Sequence, residues 1–191
     1  MNWLPDYNYI LASKSPRRQE LLKSLGINFQ VITKEVDEIF PGFLSKEQIP
    51  VFLAELKAKY FLNDLKENDL LITADTIVWF NGEVLGKPAN RKEAIETLQK
   101  LSGHEHQVIS GVSLTSVKKQ KSFFSITNVM FKQLSLPEIE YYVYEYKPFD
   151  KAGAYGIQEW IGYIGITHIE GSFYNVMGLP VQQLYTEIQN F

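Results

Sequence analysis

The chain contains no cysteine, which excludes disulfides and thiolate metal centres and suits a reducing compartment. It has only three histidines, His104, His106 and His168. His104 and His106 flank Glu105, but no third ligand stands at metal-site spacing, so a histidine metal centre is not expected. No apolar run approaches the roughly 20 residues of a membrane-spanning helix. The first residues, Met1-Asn2-Trp3-Leu4-Pro5-Asp6, lack the basic segment and apolar stretch of a signal peptide, so a cytoplasmic location is expected. There is no basic stripe, and the formal charge is −3, which argues against a dedicated nucleic-acid binder. Neither a stable nucleic-acid partner nor a membrane is expected. The chain has no Walker loop, no dinucleotide fingerprint, no nucleophile elbow and no internal repeat.

What is present is an ordinary globular composition, 45% apolar and 21% charged over 191 residues, enough for one domain or two small lobes. Local cations in an acidic protein fit a small anionic ligand better than a polymer. Such cations cluster in Leu11-Ala12-Ser13-Lys14-Ser15-Pro16-Arg17-Arg18. Tyr9, Ile10 and Leu11 read as a strand end. Ser15 is a good N-cap and Pro16 suits the first helical position, where no amide donor is needed. Leu21, Leu22 and Leu25 give the helical stripe, and Gly26 ends it. The free amides of that helix start carry partial positive charge, to which Lys14, Arg17 and Arg18 add. The result is a cradle suited to a triphosphate. The same residues also describe a capped surface helix with solvated cations.

Further along, apolar runs and helical stripes alternate. Residues 28–33 read as a second strand and 34–46 as a loop with Glu35, Asp37 and Glu38. Ser45 and Gln48 have capping-box spacing, and the next helix carries Phe52, Leu53, Leu56, Tyr60 and Phe61 on one face. Residues 70–80 form a long buried strand, and Asn81-Gly82 marks a hairpin turn. Asn90 and Glu93 form another capping box, ahead of Ile95, Leu98 and Leu101. Residues 106–117 and 123–134 read as a second hairpin with Lys118, Lys119 and Gln120 at its turn. Ser135 and Glu138 cap a short aromatic helix with Tyr141, Tyr142 and Tyr144. A Gly-rich segment, 152–171, follows, and Gly178-Leu179-Pro180 leads into a last helix. Hairpins mixed with strand–helix units predict an α/β protein with a mixed sheet.

Some residues are out of place. Asp75 and Thr76 interrupt the apolar run from Leu70 to Phe80. A carboxylate there needs a partner, a hydrogen bond or a metal. Asp75 and an acid of the 34–46 loop have the oxygen chemistry to hold one divalent cation. Lys87 is pinned between Gly86 and Pro88. Lys57 lies mid-helix beside the apolar stripe, where most lysines are solvated. In Asp150-Lys151-Ala152-Gly153-Ala154-Tyr155-Gly156-Ile157-Gln158, glycines permit close approach to a flat ligand. Gln158 offers both a donor and an acceptor, as reading a pyrimidine edge requires. A loop that merely folds tightly has the same spacing.

Taken together, these segments resemble the Maf family of nucleoside triphosphate pyrophosphatases. The resemblance is carried by residues 12–18, Ala74-Asp75-Thr76, Gly86-Lys87-Pro88, Leu101-Ser102-Gly103, residues 150–158 and residues 171–180, in family order over nearly the whole chain. It implies a single Maf-like domain over 1–191. The implied fold is mixed α/β, a mixed sheet with flanking helices and two lobes around a central cleft, as in the inosine triphosphatase architecture. It also implies hydrolysis of a nucleoside triphosphate to the monophosphate and pyrophosphate with a divalent cation, Mg2+ or Mn2+. Arg17, Thr76 and Gln158 match the subgroup acting on dTTP and UTP. Two departures stand out. Glu159-Trp160 follows Gln158 where a glycine is more usual, and Lys147-Pro148 replaces an acid before proline.

On that resemblance, Asp75 activates the attacking water or binds metal, with Glu38 and Asp37 as further metal ligands. Ser13, Arg17 and Arg18 grip the phosphates, Lys57 and Lys87 add charge at the α-phosphate and leaving group, and Thr76 and Gln158 read the base. Family members are often homodimers, and the aromatic surface helices permit one. Alternatives are a pyrophosphatase for modified or non-canonical nucleotides, and a non-catalytic nucleotide-binding regulator of cell division. A nucleic-acid binder using the basic loop predicts steeply salt-dependent binding.

Overall fold

The computed structural model describes residues 4–191; Met1, Asn2 and Trp3, part of the segment read for a signal peptide, lie outside the described residues. The chain is mixed α/β. In order it forms β1 (Asn8–Leu11), α1 (Pro16–Ser24), β2 (Phe29–Val31), α2 (Gln48–Lys59), β3 (Asp69–Phe80), β4 (Glu83–Leu85) and α3 (Arg91–Leu101). Then follow β5 (Glu105–Thr115), β6 (Gln120–Phe131), α4 (Leu136–Tyr146), a 3-10 turn (Ala152–Ala154), α5 (Trp160–Gly165), β7 (Ile166–Glu170), α6 (Phe173–Met177) and α7 (Val181–Gln189). One seven-stranded sheet has the order β2-β1-β3-β5-β6-β7, with β4 pairing β3. β1 runs parallel to both β2 and β3, whereas β3–β4 and β6–β7 are antiparallel. Among the described residues no helix is long and apolar enough to cross a membrane.

The chain divides into two compact units, the first of 1–76, 110–125 and 178–191, the second of 77–109 and 126–177. In the first, α2 packs through Ile49, Pro50, Leu53, Ala54 and Ala58. This differs from the expected stripe: Phe52 and Leu56 are only half-buried, and Tyr60 is exposed. Small residues let α2 approach the sheet, so Ala58 packs with Ile10, Phe61 and Leu71. The approach is close at Gly111 of β5, where an added Cβ would lie 2.3 Å from the Pro50 carbonyl carbon and the Val51 nitrogen. The helix also starts later than its capping box. Gln48 Oε1 accepts from the Ser45 amide at 2.9 Å, but Glu47 is the N-cap.

The second unit has a continuous apolar core that includes Leu98 and Leu101 of α3, Val129 and Phe131 of β6, Tyr142 of α4 and Tyr155. Asn81 and Gly82, both at positive φ, close the β3–β4 hairpin as expected. Asn90 caps α3 and accepts from the Glu93 amide at 3.0 Å. Within the Gly-rich segment the structure holds α5 and the strand β7. Six residues of helix and five of strand are too short to show a period.

Candidate functional site

The strand order β2-β1-β3 makes the β1/β3 boundary a switch point. The chain leaves β1 toward β2 through α1 and returns to β3 through α2. In open α/β sheets ligands bind at the carboxyl ends of strands flanking such a point. Here Leu11 pairs with Ile72, so β1 stops while β3 runs on through Thr73, Ala74, Asp75 and Thr76. Successive strand residues face opposite sides. Thr73 and Asp75 face α2: the Thr73 hydroxyl donates to the Ala54 carbonyl at 2.7 Å, and Asp75 Oδ1 receives Lys57 Nζ at 2.6 Å. Ala54 and Lys57 stand three residues apart on one helix face, which is why both meet that side of β3. Thr76 faces the other way and meets Arg18 of α1 at 3.1 Å.

Lys57 is the centre of the first group. Its ammonium also contacts Glu38 Oε1 at 2.9 Å and the Ala74 carbonyl at 3.4 Å. One largely buried cation, its side chain 14% exposed, thus draws a strand carboxylate and a loop carboxylate to one point. Buried charges persist only when paired in this way. These oxygen donors fit a divalent cation of the Mg2+ or Mn2+ type, which binds through one or two carboxylates, water and substrate phosphates. Asp37 does not complete a three-acid set. It is exposed, and among the described residues no group of three or more His, Cys, Asp or Glu side chains is placed to hold a metal.

Arg18 is the centre of the second group. Its Nε donates to the Gly178 carbonyl at 2.9 Å, Nη1 to the Ala74 carbonyl at 2.9 Å and Nη2 to Thr76 Oγ1. Burial lowers its pKa and the nearby Asp75 carboxylate raises it. Arg18, expected to grip phosphate, therefore ties α1, β3 and the 178 turn together in this structure. Thr76 Oγ1, expected to read a base, is likewise engaged, with Arg18 and with Ser110 Oγ at 2.8 Å. Ser110 is fully buried and escaped the sequence reading, because a serine inside an apolar strand has no spacing that marks it.

The loop before α1 is built as its residues suggest. Ser15 caps the helix, its hydroxyl accepting from the Arg18 amide at 3.5 Å, and Pro16 opens it. Ser13 is buried; its Oγ accepts from the Ser15 amide at 3.2 Å, which leaves the hydroxyl proton to donate elsewhere. Lys14 is exposed and pairs with Glu35, and Arg17 is half-buried. Ser13, Arg17, Arg18, Glu38, Lys57, Asp75 and Thr76 all belong to the first unit, and Lys87 and Gln158 to the second. There Lys87 is exposed after β4, and the neighbouring Gly86 carbonyl accepts from the Gly153 amide at 3.2 Å. The Gln158 side-chain oxygen is buried without a hydrogen-bond partner among the described residues.

A polyanion-type loop and a paired carboxylate cluster at one switch point, in this order of motifs, agree with the family comparison. A family model described as Maf-like protein matches residues 8–191. The chain belongs to this Maf-like family. Among curated relatives, the dTTP/UTP pyrophosphatase of Phocaeicola vulgatus is 54% identical over 187 residues, covering 97% of each chain. The dTTP/UTP pyrophosphatase of Bacteroides thetaiotaomicron is 53% identical with the same coverage. Among solved structures, the Staphylococcus aureus Ham1 protein aligns at 18% identity and a TM-score of 0.48, over 65% of this chain and 71% of that one, a likeness too slight to bear on function.

Proposed function

We propose that this Maf-like chain hydrolyses dTTP and UTP to the nucleoside monophosphate and pyrophosphate. The observation that carries the reading is the Lys57 ammonium holding Asp75 and Glu38 where β3 runs past the end of β1. The relatives' activity and the order of motifs support it.

Asp75 accepts the proton of the water that attacks the α-phosphorus, and pyrophosphate leaves with the β-phosphate oxygen. Lys57 offsets the carboxylate charge and places it, since its stem is fixed in α2. Ser13, Arg17 and the free amides at the start of α1 hold the phosphate chain. Arg18 fixes the strand and turn around them through its carbonyl and hydroxyl contacts. Lys87 adds positive charge for the leaving group, Gln158 distinguishes the base, and Thr76 anchors Arg18. Asp75 and Glu38 would hold a divalent cation, which when bound neutralises phosphate charge. In the cell the chain acts as a cytoplasmic enzyme on free nucleotides, and it assembles as a homodimer.

Asp75→Asn tests the central assignment. Pyrophosphate release from dTTP with magnesium falls at least about a hundredfold, as expected for a lost general base. Near wild-type turnover would remove Asp75 from the chemistry. A nucleotide panel in which only purine triphosphates are cleaved would overturn the substrate assignment.

A further inference from the structure

Gln158 sits in a turn secured on both sides by a network that the hydrolytic roles above do not use. On one side, the Gly156 amide donates to the Tyr142 hydroxyl at 3.0 Å. On the other, Tyr142 donates to Glu159 Oε2, and Glu159 Oε1 receives the buried Lys151 ammonium at 3.1 Å. Lys151 also reaches Asp150 Oδ1 at 2.7 Å. Tyr142 thus spends its one donor and one acceptor on the two neighbours of the Ile157-Gln158 pair. Burial, followed by the hydrogen bond to Glu159, pushes the tyrosine pKa up, so the hydroxyl remains a donor throughout the working pH range. The fit is tight: a Cβ on Gly156 would lie 2.8 Å from Glu159 Cδ. Upstream, the turn is held at positive φ at Gly153 and at Ala154, a conformation an alanine adopts only when its surroundings impose it.

Within this fixed frame the Gln158 side-chain oxygen is buried and has no hydrogen-bond partner among the described residues. A buried acceptor without a donor is unfavourable, so it marks where a ligand donor is to arrive. Uracil and thymine carry a hydrogen on ring N3 and supply that donor. Cytosine has a bare N3 and does not. A glutamine on a swinging loop meets a base at many places, whereas one on a rigid turn presents its buried oxygen at a single place and so discriminates.

We propose that Glu159, clamped between Lys151 and Tyr142, is a positioning residue that holds the turn so that the Gln158 oxygen is placed to accept from the N3–H of a keto pyrimidine, and so sets the preference of dTTP and UTP over CTP. This rests on the pyrophosphatase reading and deepens it.

The test is steady-state pyrophosphate release from dTTP, UTP and CTP by the full chain with magnesium, for wild type, Tyr142→Phe and Glu159→Gln. Tyr142→Phe removes the hydroxyl joining Gly156 to Glu159. Its loss falls on KM for dTTP and UTP, about tenfold, with kcat little changed, and the dTTP-to-CTP ratio of kcat/KM drops by a similar factor. Glu159→Gln keeps oxygen and shape and shows a smaller shift in the same direction. A cooperative thermal melt certifies each variant as folded; should Tyr142→Phe not fold, Glu159→Gln alone decides by the same ratio. A folded variant with wild-type KM and ratio overturns the clamp and leaves the pyrophosphatase reading intact. Wild type that releases no pyrophosphate from dTTP or UTP overturns that reading, and the clamp with it.

Discussion

Two lysines, one in each unit, hold two carboxylates apiece. Lys57 joins Asp75 at 2.6 Å and Glu38 at 2.9 Å; Lys151 joins Asp150 at 2.7 Å and Glu159 at 3.1 Å. The groups are chemically alike, yet they are finished differently. Around Lys151 it is the inner acid that is closed off: Glu159, whose side chain is 19% exposed, meets a tyrosine that in turn takes a backbone amide, while the outer acid, Asp150, is 58% exposed. Around Lys57 the second acid comes from an irregular loop and is 46% exposed. Both groups have an outer acid in solvent; they differ at the inner one. Glu159 has one oxygen on Lys151 and the other on Tyr142, which holds a shape, whereas Asp75 meets Lys57 through Oδ1 and has its second oxygen for a ligand. Ion pairing alone therefore does not identify a reactive centre; what satisfies the inner acid's second oxygen does.

The comparison is broken most forcefully by removing each lysine. Lys57→Met lowers pyrophosphate release roughly a hundredfold or more, because two carboxylates lose the cation between them. Lys151→Met shows its main effect in urea unfolding, a loss of about 3 kcal/mol, since it leaves the largely buried Glu159 without its cation. Equal activity losses in the two variants would abolish the distinction between them.

The second unit's closed interior is sharpened by pH. His106, 2% exposed, donates or accepts through Nε2 with the Tyr155 hydroxyl at 2.7 Å and stacks on Phe131. Burial pushes its pKa down from 6.5 to about 4. Between those values the unfolded chain binds the proton and the folded chain does not. The contribution is whole above pH 6.5 and is lost as pH falls toward 4, with a span of about 3 kcal/mol. Unfolding midpoints at pH 7, 5.5 and 4.5 measure this; a slope unchanged in His106→Phe would mean other groups dominate. The smallest effect is expected at Glu38→Gln. With half its carboxylate surface in water, stability changes by less than about 1 kcal/mol. A larger loss would place Glu38 among the structural acids.

The parts legible in the sequence were those decided locally. Ser15-Pro16, Asn81-Gly82 and Asn90 with Glu93 act over three or four residues, and all stand where their spacing puts them. The buried face of α2 was not legible, because Ala54 and Ala58 are chosen for closeness and carry little apolar signal. Nor was the commitment of Arg18. Its guanidinium bonds carbonyls and a hydroxyl at positions 74, 76 and 178, and nothing near residue 18 announces those partners. Asp75 stood out because its strand is otherwise apolar, whereas the clamp of Lys151, Glu159 and Tyr142 lies in stretches where polar residues are ordinary.

Gly111 carries no functional group, yet it serves as the gauge block of the Lys57 cluster. Main chain of β5 lies directly against main chain of α2 at Pro50 and Val51, with no side chain between them to yield. Lys57 stands seven residues further on, about 10 Å along the axis of the same rigid helix. A single methyl at Gly111 acts as a shim under one end of that rod and displaces the ammonium at the other. The tolerance of the charge cluster is thus machined into a position two turns away, and the smallest side chain in the strand is the one with the least freedom to change.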